Sequence, residues 1–123
     1  MHSENLIEES DNDFDIKGYK AKKAEFEIQY QINQKGIQYE KKGEIDKAIE
    51  QYELVISKNF EGNYPYDRLA IIYRKRKQID DEIRVLEKAI FVFSNVVSQH
   101  LGDRKPKLEK FKERLEKINK LKN

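Results

Sequence analysis

A periodicity of 34 residues constrains this chain more than any other feature of its sequence. Ile32, Gly36, Tyr39, Ile45, Asp46, Ile49, Tyr52, Val55 and Ile56 recur as Tyr66, Ala70, Tyr73, Ile79, Asp80, Ile83, Leu86, Ala89 and Ile90. The Tyr39, Ile45, Asp46, Ile49 and Ile56 pairs are identical, and the rest exchange small for small or apolar for apolar. A shared period near this length marks stacked helical pairs rather than one irregular globule. An ordinary helical bundle without true repeats is the competing reading. Stacked repeats work through their extended surfaces, so the chain reads first as an interaction module.

Local patterning gives the helices. Apolar residues at i, i+3, i+4 and i+7 predict second helices of each pair over residues 45–59 and 80–100. Gly36 and Ala70 remove side-chain bulk where a neighbouring helix must come close, with Tyr39 and Tyr73 one turn away. Lys42-Gly43-Glu44 predicts a helix stop in which glycine takes the left-handed conformation. Asp80 is expected to cap the fourth helix, and Pro65 suits a first helical turn.

These residues resemble the tetratricopeptide repeat family. The first unit carries Gly36, Tyr39, the turn glycine Gly43, then Ala48, Tyr52 and Val55 at the family's spacing. The second carries Leu69-Ala70, Tyr73, Leu86 and Ala89. It departs at Lys77, where the turn glycine is expected, and at Glu82, where a small alanine is expected. Phe60 and Ser94 stand where each unit would close with proline. The resemblance covers roughly residues 29–96 and implies an all-α fold of two helix-turn-helix repeats, flanked by a long N-terminal helix and a C-terminal capping helix. It also implies a partner-binding inner wall formed by the first helix of each pair. In this sequence those positions are Tyr30, Asn33, Ile37, Glu40 and Lys41, then Asp67, Ile71, Arg74 and Lys75. Some family members clamp a terminal carboxylate from three repeats; here Asn33 and Ile37 occupy the first two clamp positions and a third repeat is absent, which argues against a chaperone-tail receptor.

Three segments follow. Residues 1–16 are expected to form an acidic disordered tail, since residues 1–15 hold six acids and no Lys or Arg and too little apolar surface to offset ordering entropy. Such a tail either solubilises the chain or meets a basic surface. Residues 17–101 hold the helical pairs and a helical extension, with one long helix over 17–42 whose early half is expected to shield the first pair. Residues 102–123 hold nine bases and four acids and predict a basic amphipathic helix with a stripe of Leu108, Phe111, Leu115 and Ile118. Two readings of that stripe compete: a cap on the second pair, or a surface for a partner helix or a homodimer.

Charged residues make up 39% of the chain, well above the usual quarter. No apolar run approaches a membrane span, the first residues lack the pattern of a secretory signal, and cysteine is absent. A cytoplasmic protein is expected. No metal-ligand spacing, phosphate loop or nucleophile motif is present, so no cofactor, metal or catalytic residue is expected. His100 reads as a satisfied or solvated residue, and Asp80-Asp81-Glu82 as a helix-start cluster favoured by the dipole. Arg74-Lys75-Arg76-Lys77 either complements the end of the third helix or binds an acidic peptide or nucleic acid. The favoured function is a non-catalytic adaptor or inhibitor holding a protein or peptide; the alternative is a nucleic-acid accessory protein using that patch and the C-terminal helix.

Overall fold

The computed structural model describes the backbone of residues 2–98 and 101–122, and side chains from residue 16 onward within those ranges. Five helices follow one another with no strand among the described residues: α1 (His2–Lys41), α2 (Ile45–Ser57), α3 (Tyr64–Lys75), α4 (Ile79–Asn95) and α5 (Arg104–Lys122). Each packs on the next. The backbone of α1 is helical upstream of the expected start at residue 17. The expectation of a disordered tail falls on residues 1–15, whose side chains lie outside the described residues, as does His100.

The core runs through Ala48, Tyr52 and Val55 of α2, Tyr66, Leu69 and Ala70 of α3, and Val85, Leu86, Ala89 and Phe93 of α4. Tyr52, Val55, Tyr66, Ala70, Leu86 and Ala89 are periodic positions of the sequence, joined here by Ala48, Leu69, Val85 and Phe93. Their burial is the main stabilising contribution, at about 1.5–3 kcal/mol per large apolar side chain. Gly36 marks a close approach of α2 to α1. A Cβ built there would lie 2.7 Å from Cε1 and 2.8 Å from Cδ1 of Tyr52. The ring edge of α2 therefore lies directly against the backbone of α1.

The two α-α turns share one geometry at the 34-residue offset. Gly43 has φ +78° and Lys77 φ +59°. Gly43 N donates to Glu40 O at 3.0 Å and Glu44 N to Tyr39 O at 2.9 Å; Lys77 N donates to Arg74 O at 3.0 Å and Gln78 N to Tyr73 O at 2.8 Å. A lysine thus holds the left-handed conformation that costs a residue with a Cβ roughly 1–2 kcal/mol.

Several sequence expectations need correction. Asp80 does not cap α4. Gln78 occupies that position without a side-chain cap bond, and Asp80 stands in the first turn, where its charge favours the dipole. α2 and α4 stop short of residues 59 and 100. At the end of α4, Arg104 Nη1 donates to Phe93 O at 2.7 Å, satisfying a carbonyl that the finished helix leaves open. The early half of α1 does not shield the first pair either. Ile16, Tyr19, Phe26 and Ile28 are exposed, and Phe26 stacks on Phe60 with ring centroids 5.9 Å apart.

The C-terminal stripe is covered within the monomer. Leu108, Phe111 and Ile118 are buried, and Phe111 meets Phe93 at 5.3 Å and Tyr66 at 6.2 Å between ring centroids. α5 therefore closes the array over both α3 and α4.

Two predictions follow from this geometry. Gly36→Leu drives its side chain into the Tyr52 ring and lowers stability by about 1–3 kcal/mol or more, read as a fall in the urea midpoint. Lys77→Gly relieves the left-handed strain against a smaller gain in unfolded-state freedom. It raises stability by about 0.5–1 kcal/mol, read as a higher midpoint with unchanged slope.

Candidate functional site

The wall expected to bind a partner draws on α1 and α3, and the structure adds α5 to it. α1 joins α3 through a polar knot. Tyr52 Oη donates to Glu40 Oε1 at 2.8 Å, and Arg68 Nε lies 3.1 Å from Oε1 and 3.0 Å from Oε2 of the same carboxylate. Arg68 Nη2 also donates to Glu40. α3 joins α5 through Asp67, which accepts from Arg114 Nη1 at 2.7 Å and from Asn63 Nδ2 at 2.6 Å. Three helices thus share one face.

Partial burial pulls the Glu40 carboxyl upward, but the Arg68 and Tyr52 hydrogen bonds and the nearby positive charge outweigh it, leaving the group below its ordinary value. Burial and the Glu40 carboxylate push the Tyr52 hydroxyl well above its ordinary value. Glu40 is therefore a charged acceptor already engaged by two donors. It acts as a structural tie rather than as an open ligand.

The remaining wall residues divide among three depressions. Ile37 and Lys41 line one with Glu40, Tyr64 and Arg68. Ile71 and Arg74 line a second with Ala70, Glu82, Arg114 and Lys117. Asp67 lines a third with Asn63, Lys107, Lys110, Phe111, Glu113, Arg114 and Lys117. The second and third share Arg114 and Lys117, so they form one groove between α3 and α5. Tyr30 is exposed and Lys75 is exposed, and neither lines these depressions. Asn33 is only 6% exposed and its Oδ1 has no hydrogen-bond partner among the described residues; its side chain is withdrawn into the packing. A further depression of about 410 Å³ lies elsewhere, between the early half of α1 and the α2–α3 connection.

Glu82, which replaces the expected alanine, is 1% exposed and pairs with Arg74 at 3.0 Å. Two departures from the apolar pattern thus compensate each other across α3 and α4. Arg76 pairs with Asp46 at 2.7 Å, so half of the 74–77 basic cluster is engaged internally. Tyr64, Arg68, Arg114 and Lys117 belong to the wall and escaped sequence reasoning. The signal for the α5 residues was present: Lys107, Lys110, Arg114 and Lys117 follow 3-4-3 spacing, a stripe separate from the apolar one.

Among the described residues no group of His, Asp and Glu side chains could hold a metal ion, and no helix is long and apolar enough to cross a membrane. Comparison with protein-family models, known proteins and solved structures finds no match.

The Glu40 knot has a defined pH signature. A carboxyl held below its ordinary 4.5 in the folded chain contributes stability that is complete above that value. The contribution is lost as pH falls through the folded-state value, because the unfolded chain binds the proton first. Urea midpoints of the native chain fall on acidification below 4.5, and Glu40→Gln is less stable at neutral pH with a shallower acid fall. An identical acid profile in the variant assigns the titration to another carboxylate.

Proposed function

We propose that this chain is a non-catalytic protein-binding module with two tetratricopeptide-like helical pairs closed by α5. In this reading it serves as an adaptor or inhibitor, holding a peptide or protein partner against the face made by α1, α3 and α5. One observation carries the reading: α5 stands to the second pair as α3 stands to the first. Asp46, in the first turn of α2, pairs with Arg76 just beyond the end of α3. Asp80, 34 residues later, pairs with Lys122 at the end of α5 at 2.6 Å. Arg68 and Arg114 likewise tie each new first helix back to the preceding one. The shared left-handed turns at Gly43 and Lys77 point the same way.

The wall suits a polypeptide. Ile37 and Ile71, both half-buried, supply apolar contacts, while Lys41, Arg74 and Lys117 offer charged edges that set orientation. Nucleic acid is less well served. Arg74 and Arg76 are tied to Glu82 and Asp46, which leaves half of the 74–77 cluster without open charge for a phosphate backbone.

The test replaces both apolar contacts. Ile37→Glu with Ile71→Glu should leave helical circular dichroism near that of the native chain and reduce recovery of specific partners in affinity purification and mass spectrometry by at least about tenfold, equal to roughly 1.4 kcal/mol. Undiminished recovery by the folded double variant moves the partner surface off this face.

A further inference from the structure

The groove between α3 and α5 has one chemical property that the wall as a whole lacks. Five cations, Arg74, Lys107, Lys110, Arg114 and Lys117, line it beside three acids, Asp67, Glu82 and Glu113, leaving a net positive charge. Arg74, Lys107 and Arg114 are paired with Glu82, Asp103 and Asp67. Lys110 and Lys117 have no ion pair among the described residues. They are exposed and seven residues apart on α5, about 10.5 Å along a helix. Phe111, Ala70 and Ile71 form an apolar floor beneath them.

At the other end of the chain the sequence carries the complement. Residues 1–15 hold six acids and no Lys or Arg. Glu4, Glu8, Asp11 and Asp15 recur at 4-3-4 spacing, so Glu4 and Asp11, and Glu8 and Asp15, are also seven residues apart. The backbone is helical there, continuous with the rest of α1.

We infer that the α3–α5 groove receives the acidic first fifteen residues of a second copy of this chain, joining molecules end to end. The spacing supplies the specificity: acids seven residues apart in sequence meet two lysines seven residues apart on α5. The packing order makes the contact intermolecular. α1 and α5 stand at opposite ends of the sequence of packed helices. Among the described side chains of α1, from residue 16 onward, the first buried one is Gln29, about 21 Å along the helix from residue 15, so a continuous α1 carries the acidic segment away from its own groove. Such a contact joins different patches on the two partners, so it builds open chains or rings rather than a closed two-fold dimer. The inference takes its location from the reading of the α1–α3–α5 face as a binding surface. It predicts that this copy-to-copy contact competes with an outside partner for the α5 half of that face.

Sedimentation of the full-length chain over a range of concentrations tests it. Association should appear at low salt and weaken at least about tenfold between about 0.05 and 0.5 M sodium chloride, as exposed charges are screened. A synthetic peptide of residues 1–15 should compete and return the chain to monomer. Lys110→Glu with Lys117→Glu should abolish association with helical circular dichroism unchanged, and so should Glu8→Lys with Asp11→Lys and Asp15→Lys. Mixing those two variants should restore association, because each then offers what the other lacks. A monomer at every concentration, association indifferent to Lys110 and Lys117, or a mixture that stays monomeric each overturns the inference. So does groove binding of a single-stranded oligonucleotide with no response to the peptide. Partner capture is read separately by affinity purification, where the Ile37→Glu single variant touches the wall outside this groove, so a failure of self-association leaves the partner-binding reading standing.

Discussion

The contact between Gly36 and the ring of Tyr52 sets the geometry on which the rest of the structure depends. With a hydrogen in place of a side chain at residue 36, α2 can lay a fully buried aromatic ring against the α1 backbone. That position brings the Tyr52 hydroxyl to Glu40, and Glu40 in turn receives Arg68 from α3. One missing side chain thus fixes three helices. The hydroxyl needs such a partner, because a buried phenol without one costs desolvation energy. Glu40 serves as that partner while Arg68 keeps it charged.

α5 ends the array by satisfying several requirements at once. Its apolar stripe covers the Tyr66 and Phe93 rings, which would otherwise leave a large exposed patch. Arg104 caps a carbonyl at the end of α4, Arg114 holds Asp67 and Lys122 holds Asp80. The exposed pairs contribute little individually; their positions matter because they reproduce the way α3 joins the first pair. Covering the stripe turns the other faces of α5 outward, and one of these is the basic line that borders the groove.

The five-helix pattern was largely readable from sequence because its signals are local. Apolar spacing marked α2 and α4, Gly43 marked a turn, and Pro65 marked the start of α3. The errors have physical causes. The wider apolar run after Asn95 looked like more helix, but the chain turns there so that α5 can reach back, with Arg104 completing the helix end. The two-faced pattern in α1 looked like a shield, but the α2–α3 unit extends only far enough to meet Phe26 through Phe60. Asn33 was expected on the partner wall by its place in the repeat, yet side-chain packing draws it inward. Lys77 looked like a failed turn glycine, whereas the backbone keeps the same left-handed turn and bears the strain.

By itself the sequence determined the helices, the 34-residue offset between them and the small residues that allow close approach, because each depends on neighbours a few positions away. Only the tertiary structure decided which charges are engaged and which remain open. Glu40 looked like a wall residue and became a tie between α1, α2 and α3, and Glu82 looked like a defect and became the buried partner of Arg74. Lys110 and Lys117 were two bases among nine until folding left them beside an apolar floor without an ion pair. The Arg68–Glu40 and Arg114–Asp67 pairs join residues 28 and 47 positions apart, a distance at which no local pattern carries information and the path of the folded backbone alone selects the partner.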